Sequence, residues 1–223
     1  MAARETEFSA ATEDYAKAIY ALQQRGRGAV TTTALAERLG VTAASASGMV
    51  RKLDEQGLVT HVPYKGVRLT AAGTRLALEV VRHHRLLELF LAEKLGVPWD
   101  RVHDEAEVLE HVLSEDLEAL IAAKLGDPTH DPHGDPIPSA DLELPDEQTS
   151  SLAALDPGAR GTFVRVSDAD PEMLRYLSER GIAPGDDIEV EDKQPFGGPL
   201  FVTFNGTRHV LGGTLATAMQ VRL

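Results

Sequence analysis

Three side chains with the chemistry of metal ligands stand at helical spacing in the segment HDEAEVLEH, residues 103–111. Glu107 and His111 are four residues apart, and Glu110 lies three residues after Glu107. On an α-helix these spacings place all three side chains on one face. Carboxylates that crowd together raise one another's pKa, and a divalent cation relieves that repulsion. The segment therefore predicts a site for a metal ion.

A second group of the same kind is found in HHRLLE, residues 83–88. His84 and Glu88 are four residues apart, and His103 stands one helical turn before Glu107. Two ion sites are therefore plausible, although spacing alone more often marks the solvated face of a surface helix. The absence of an HExxH motif excludes a zincin protease. The remaining loop and strand histidines are predicted to be ordinary surface residues: His61, His130, His133 and His209.

The composition narrows the class of protein. The chain has 223 residues, no cysteine, and 22 Lys+Arg against 35 Asp+Glu, for a net charge of −13. Without cysteine, thiolate metal sites, cysteine nucleophiles and disulfide frameworks are excluded, which fits a reducing compartment. No apolar stretch reaches the 18 or so residues that a membrane span needs, and the start lacks the apolar core of a signal peptide. These features predict a cytoplasmic protein that does not associate with membranes.

The charge is unevenly distributed along the chain. Residues 1–75 carry a net charge of +3, residues 76–145 carry −11 and residues 146–223 carry −5. The basic first third could meet a phosphate backbone locally, while the acidic middle attracts cations.

The pattern of the first third predicts a winged helix-turn-helix. Apolar residues at helical spacing indicate helices over 12–24, 33–40 and 43–57, with Thr12, then Thr32 or Thr33, and then Thr42 as N-caps. Two short β segments over 58–70 flank a turn at Pro63–Gly66, and Thr70 caps the next helix.

The rest of the chain predicts a mainly α protein with a small β domain at its end. One long helix is expected over 71–95, a shorter one over 98–113, and another that Ser114 caps and Gly126 ends. Residues 127–158 have the composition of a linker or irregular loop, and short β-branched segments from Thr162 onward indicate a small β-barrel. The expected domains are 1–75, 76–145 and 146–223.

Together these residues resemble the diphtheria toxin repressor family of metal-dependent transcriptional repressors, most closely its manganese-responsive branch. The resemblance covers nearly the whole chain and rests on TEDY, RKLDEQGLV, RHHRLLE, VHDEAEVLEH and DPHGDPIP. It implies a winged helix-turn-helix DNA-binding domain, a helical dimerisation and metal-binding domain, and an SH3-like carboxy-terminal domain. It also implies a repressor without enzymatic activity.

The resemblance also implies two sets of metal ligands. Asp14 would join Glu107, Glu110 and His111 at an activating site, and His84, Glu88 and His103 would form a second site. Asp170 stands where iron-type members have a further carboxylate ligand, whereas Met173 takes the place of their amide ligand.

Two departures from the iron-type pattern indicate the metal. Asp14 and Glu107 stand where the iron repressors have methionine and cysteine. Hard carboxylate oxygens in place of soft sulfur favour Mn²⁺, with Fe²⁺ as the alternative and Co²⁺ or Zn²⁺ able to bind in vitro. Lys17 stands where short manganese repressors place a further carboxylate, so two separated sites are expected here.

The expected partner is double-stranded operator DNA, bound by a homodimer with one or two dimers on each operator. The third helix would enter the major groove. Base-edge candidates are Thr42, Ala44, Ser45, Ser47 and Gly48, and phosphate candidates are Arg51, Lys52, Lys65 and Arg68. Small side chains make few bidentate base contacts, so thymine methyl contacts and phosphate positioning would contribute more.

Two other classes of function use the same residues. A metallohydrolase could use a water coordinated by the His and Glu cluster as its nucleophile. A metal buffer could use the winged helix for protein contacts alone. Hydrolysis of generic esters, against metal-dependent retention of promoter DNA, separates these classes.

Overall fold

A computed structural model describes residues 8–26, 28–62 and 65–223, and the chain divides into two compact units. The first unit contains Met1–His84, Glu107–Lys124 and Pro138–Glu143. The second contains Arg85–Ala106, Leu125–Ile137 and Leu144–Leu223. Each unit is assembled from separate stretches of the chain, so the three-domain division made from the sequence stays a proposal.

The first unit begins with the predicted winged helix-turn-helix, which is confirmed. Its elements are α1 (Ala10–Gly26), α2 (Thr32–Leu39), α3 (Ala43–Glu55), β1 (Val59–Val62) and β2 (Gly66–Leu69). The two strands pair antiparallel from Val59 opposite Leu69 to Val62 opposite Gly66. Pro63 and Tyr64, which belong to the predicted wing turn, lie outside the described residues. Buried apolar side chains from all three helices form the core, among them Ile19, Leu35 and Leu53.

Helix ends follow side-chain caps, with two shifts from the sequence prediction. α1 begins before Thr12, because Ser9 precedes the helix and its Oγ accepts from the amide of Thr12 at 3.4 Å. α2 is capped by Thr31, whose Oγ1 accepts from the amide of Ala34 at 3.2 Å. Thr42 caps α3 as predicted, accepting from the amide of Ser45 at 3.1 Å.

The predicted long helix is confirmed as α4 (Ala71–Leu95), which begins in the first unit and ends in the second. Thr70 caps it by accepting from the amide of Gly73 at 3.1 Å. α5 (Val102–Leu109) and α6 (Glu115–Leu125) follow. α5 is shorter than predicted, because a tighter turn replaces its last one: the amide of Val112 donates to the carbonyl of Leu109 at 3.1 Å.

The second unit contains the predicted small β domain, a six-stranded antiparallel sheet of SH3-like type. The strand order is β3-β8-β4-β5-β6-β7. Its elements are β3 (Ser150–Ser151), a 3₁₀ turn (Leu152–Ala154), β4 (Arg160–Val166), α7 (Pro171–Ser178), β5 (Asp187–Lys193), β6 (Leu200–Phe204), β7 (Thr207–Leu211), α8 (Gly213–Ala218) and β8 (Met219–Arg222). Apolar side chains of the sheet and of α7 form one core, to which Phe163 and Leu177 contribute fully buried side chains.

Part of the predicted linker packs closely on this sheet. The amide of Val166 donates to the carbonyl of His133 at 2.9 Å. Gly134 has a φ of 86°, and a Cβ there would lie 1.8 Å from the carbonyl oxygen of Val164. Only glycine fits this position. The segment around residues 130–136 is therefore seated on β4.

Within the described parts of the chain, no helix combines the length and the apolar character needed to cross a membrane.

Candidate metal centres

The first candidate centre, here called the first centre, lies in the first unit where α1 meets the end of α5. One ligand atom from each of Asp14, Glu110 and His111 lies within 4.8 Å of the other two. Nε2 of His111 is 2.9 Å from Oδ1 of Asp14 and 3.6 Å from Oε1 of Glu110. The side chain of Glu110 is fully buried. This group brings a residue of α1 together with two residues of the segment that was singled out from its spacing.

The carboxylate of Glu13 forms a hydrogen bond with the His111 ring on the side away from Asp14, a contact that the sequence did not predict. Nδ1 of His111 donates to Oε2 of the buried Glu13 at 2.6 Å, so Nε2 is the nitrogen that faces Asp14 and Glu110. Hydrogen bonds to Asp14 and then to Glu13 raise the pKa of His111 to about 10. Metal-binding histidines usually donate their other ring nitrogen to such a carboxylate, which fixes the ring.

Glu107 and His84 form a second ligand group around the same Glu110. One ligand atom from each of the three residues lies within 4.8 Å of the others. Nδ1 of His84 contacts Oε2 of Glu110 and is 3.9 Å from Oε1 of Glu107. Nζ of Lys17 lies among these atoms, 2.6 Å from Oε1 of Glu107 and 3.1 Å from Nδ1 of His84. Of the residues predicted for the second site, His84 is thus placed in the first unit.

The second candidate centre, the second centre, lies in the second unit and begins with Glu88, His103 and Asp168. Nδ1 of His103 is 3.1 Å from Oδ2 of Asp168 and 3.4 Å from Oε1 of Glu88. Hydrogen bonds to Asp168 and then to Glu88 raise the pKa of His103 to about 10. Burial raises the pKa of Asp168, but the hydrogen bond from His103 outweighs it and leaves that pKa below its usual range.

Asp131 and His133 complete the second centre from the segment seated on β4. Ligand atoms of these two residues and of Glu88 lie within 4.8 Å of one another, and all three side chains are buried. Burial, together with the charges of Glu88 and Asp135, raises the pKa of Asp131 well above its usual range. A divalent cation would relieve this concentration of negative charge.

The ring of His133 is already oriented as a ligand would be. Its Nε2 donates to the carbonyl of Trp99 at 2.8 Å. Its Nδ1 is buried, lies 3.9 Å from Oε2 of Glu88 and has no hydrogen-bond partner among the described residues. Because Nε2 carries the proton, the Nδ1 lone pair is available to a metal ion. The residues present therefore fit a metal ion.

Two sequence predictions are corrected at this centre. His133, predicted to be a surface residue, is fully buried because its segment packs on the sheet. Asp170, predicted to be a ligand, instead caps α7 by accepting from the amide of Glu172 at 2.9 Å, and Asp168 takes the place beside His103. Met173 stands at the sequence position where iron-type members have an amide ligand. Its side chain packs against the apolar core of the sheet domain.

The candidate DNA-contacting residues lie on the exposed side of α3 and on the wing. Ala44, Ser45 and Gly48 are exposed. The side chain of Thr42 caps α3 by accepting from the amide of Ser45. The hydroxyl of Ser47 donates to the carbonyl of Ala43 at 2.8 Å. The four basic side chains predicted to contact phosphate are all exposed: Arg51, Lys52, Lys65 and Arg68.

Comparison with protein families divides the chain in the same order. The model described as "Iron dependent repressor, N-terminal DNA binding domain" matches residues 7–67. The model described as "Iron dependent repressor, metal binding and dimerisation domain" matches residues 70–139. The FeoA domain model matches residues 150–223.

Whole-chain comparisons give the same assignment. The chain is 34% identical over 220 residues to the diphtheria toxin repressor of Corynebacterium efficiens, covering 94% of each protein. It is 32% identical over 223 residues to the iron-dependent repressor IdeR of Mycobacterium tuberculosis, covering 94% of this chain and 96% of the relative. A solved structure titled "Manganese-dependent transcriptional repressor complex with manganese" matches with a TM-score of 0.87 and 48% identity, covering 94% of this chain and 98% of that one.

Proposed function

Because the chain belongs to the diphtheria toxin repressor family of metal-dependent transcriptional repressors, we propose that it is a manganese(II)-activated repressor of metal-homeostasis genes, such as those for manganese uptake. Members of this family are repressors and not enzymes, which excludes the metallohydrolase alternative. The observation that carries the proposal is the first centre, where Asp14 of the DNA-binding helices meets Glu110 and His111. A repressor of this kind acts where its operator DNA is found, so we propose that this protein acts in the cytoplasm.

The choice of manganese rests on the donor atoms. The two centres offer carboxylate oxygens and imidazole nitrogens, and the chain has no cysteine. Oxygen donors suit Mn²⁺, although the affinity of such a site rises toward the later transition metals. The manganese-dependent repressor structure is also more similar in sequence to this chain, at 48% identity, than IdeR is, at 32%.

Iron(II) is the second candidate. The family models that match the first two segments are described as iron dependent, and the IdeR relative shares 32% identity over nearly the whole chain. The distinction is made by the free concentration at which each ion activates DNA binding.

We assign the ligands of the two centres as follows. The resemblance assigns Asp14, Glu107, Glu110 and His111 to the activating site. Of these, Asp14, Glu110 and His111 have ligand atoms close enough for one ion, and Glu107 lies with His84 on the other side of Glu110. Glu88, His103, Asp168, Asp131 and His133 form the second site. His84, which the resemblance assigns to that site, has its ligand atom beside Glu107 and Glu110 in the first unit. A bound ion supplies positive charge to both groups of carboxylates. In the first centre Glu13 orients His111, and in the second the carbonyl of Trp99 orients His133.

Activation follows from linkage between the metal and the DNA. Asp14 lies on α1, which packs against α2 and α3 in one core. Glu110 and His111 follow α5, so ligation at all three residues restricts the position of α1 relative to α5. If metal binding raises the affinity for DNA by some factor, DNA binding raises the affinity for metal by the same factor. The metal is thus a corepressor.

On DNA, α3 enters the major groove and the wing contacts the backbone. The exposed small residues at the start of α3 face the bases, and Arg51, Lys52, Lys65 and Arg68 contact phosphates. Since phosphate contacts release counterions, binding weakens as salt rises.

The repressor acts as a homodimer, and exposed apolar side chains support this. The matching family model is one of metal binding and dimerisation. Val108 is 70% exposed, Val112 is 76% and Leu120 is 67%. All three lie in residues 70–139, the segment that this model matches, and exposed large apolar side chains are candidates for a protein interface. One or two such dimers occupy each operator. The mass of the protein–DNA complex distinguishes these two cases.

The decisive experiment is a fluorescence-anisotropy titration with promoter DNA of manganese-transporter genes. Chelator, Mn²⁺ and anaerobic Fe²⁺ are compared at matched free concentrations. The proposal predicts binding with Mn²⁺ at lower free concentration than with Fe²⁺. Equal or stronger activation by Fe²⁺ would assign the protein to iron homeostasis. No binding with any ion on an adequate set of promoters would favour the metal buffer.

A further inference from the structure

Lys17 extends from α1 into the group of ligands around Glu110. Its side chain is only 17% exposed. Nζ donates to Oε1 of Glu107 at 2.6 Å and to both carboxylate oxygens of Glu110, at 2.9 and 2.8 Å. The same nitrogen is 3.1 Å from Nδ1 of His84. An ammonium has three N–H donors and no acceptor, so it contacts these groups as a small cation does.

The ligand atoms around Glu110 fall into two groups that share its carboxylate. Asp14, Glu110 and His111 form one group, and His84, Glu107 and Glu110 form the other. Lys17 contacts every member of the second group. Of the first group, Lys17 contacts the shared Glu110 but neither Asp14 nor His111 in the contacts described above. Two cation positions therefore lie side by side, and one already has a positive charge.

We propose that Lys17 is a tethered cation that fills the position formed by His84, Glu107 and Glu110, so that the first centre holds a single divalent ion, beside Asp14 and His111. This inference rests on the proposed metal-dependent function and deepens it by setting the number of ions. Without the ammonium, three ligand groups converge on one point, and their carboxylates repel one another until a cation is bound.

The ammonium also has a role in the metal-free protein. The Glu110 side chain is fully buried, and a buried carboxylate without a partner is strongly unfavourable. Lys17 supplies that partner from α1 before any ion binds. The positive charge at this position therefore stabilises the protein in the absence of metal.

The experiment counts Mn²⁺ per protomer by equilibrium dialysis and elemental analysis. The full-length wild type is compared with Lys17→Glu, Lys17→Met and Lys17→Arg. Lys94→Met is the matched control, because Lys94 is an exposed lysine that pairs with the adjacent Glu93 at 3.0 Å. Circular dichroism establishes that each variant is folded, and Tm is measured in chelator.

We expect Lys17→Glu and Lys17→Met to bind about one more Mn²⁺ per protomer than the wild type, because the vacated ligand group then attracts a divalent ion. Lys17→Arg and Lys94→Met should keep the wild-type number. Lys17→Met should also have a lower Tm in chelator and a larger rise in Tm on adding Mn²⁺.

An unchanged ion count in folded Lys17→Met would overturn the tethered-cation proposal, and this variant decides if Lys17→Glu fails to fold. A merely structural lysine would alter Tm without altering the count. A wild type that binds no Mn²⁺ at all would instead contradict the proposed function, so the two failures are distinguishable.

Discussion

The Nδ1 atom of His111 donates to Oε2 of Glu13 across 2.6 Å, while Nε2 of the same ring faces Asp14 at 2.9 Å. The two carboxylates are neighbours on α1 and hold opposite edges of one imidazole. Glu13 is 2% exposed, so this contact is made away from solvent. One residue of α1 thus contributes a candidate ligand and the residue before it orients another.

We expect Glu13→Gln to weaken metal binding by about 10- to 100-fold, the usual effect of removing the carboxylate that orients a ligating histidine. Isothermal titration with Mn²⁺ measures this change. Glu37→Gln, on the exposed face of α2, is the control and should bind Mn²⁺ as the wild type does. A wild-type affinity in Glu13→Gln would show that His111 is oriented without it.

Asp14→Ala should remain folded but lose metal-dependent operator binding, because the first centre then has no ligand on α1. Anisotropy titrations with and without Mn²⁺ measure the loss, and thermal unfolding in chelator establishes that the fold is intact. Operator binding that still responds to Mn²⁺ at the wild-type concentration would refute the link between α1 and the end of α5.

Asp168→Asn should weaken the second centre, whereas Asp170→Asn should not. Asp168 faces His103 at 3.1 Å, and Asp170 caps α7, a role that asparagine fills equally well. Mn²⁺ binding to each variant is measured by competition with a metal-sensitive dye. A greater loss in Asp170→Asn would restore the residue that the resemblance indicated.

The ion pairs of Glu118 make stability depend on acid. Oε1 of Glu118 accepts from Arg82 at 2.5 Å and Oε2 accepts from His83 at 2.9 Å. Burial raises the pKa of Glu118, but these hydrogen bonds outweigh it, so the folded-state pKa lies below the ordinary value of 4.5. The stabilisation is present above that ordinary value and is lost as the pH falls through the folded-state pKa.

Glu118→Gln should therefore lower the free energy of unfolding at pH 7 by about 3 to 5 kcal/mol, since it leaves the buried Arg82 without its anion. It should also reduce the loss of stability on acidification. Urea unfolding from neutral pH downward measures both effects. Asp116→Asn, on the exposed side of α6, should change stability by less than about 1 kcal/mol. A parallel acid profile in Glu118→Gln and wild type would contradict this assignment.

Local sequence patterns predicted the elements well, and long-range contacts limited the prediction of the sites. The helix over 71–95 and the Thr42 cap follow from spacing and cap chemistry within a few residues, and both are confirmed. Spacing alone also singled out Glu107, Glu110 and His111. Those patterns act over one or two helical turns, so the sequence displays them directly.

The missed residues depend on parts of the chain that lie far apart in sequence. His133 becomes a candidate ligand only because its segment packs on β4 and its ring donates to Trp99, 34 residues away. Asp168 and Asp170 are both aspartates two residues apart, so the sequence alone does not distinguish them. Their roles differ because α7 begins directly after Asp170, which therefore caps it. Glu13 had a local signal, a carboxylate next to Asp14, but its partner His111 lies 98 residues further along.

The close approach of Gly134 to Val164 makes the geometry of the second centre depend on the folding of the sheet domain. The glycine lets the segment that bears Asp131 and His133 lie directly on β4, and Asp168 comes just after that strand. Unfolding of the sheet domain would therefore remove Asp168 and the support of Asp131 and His133 together.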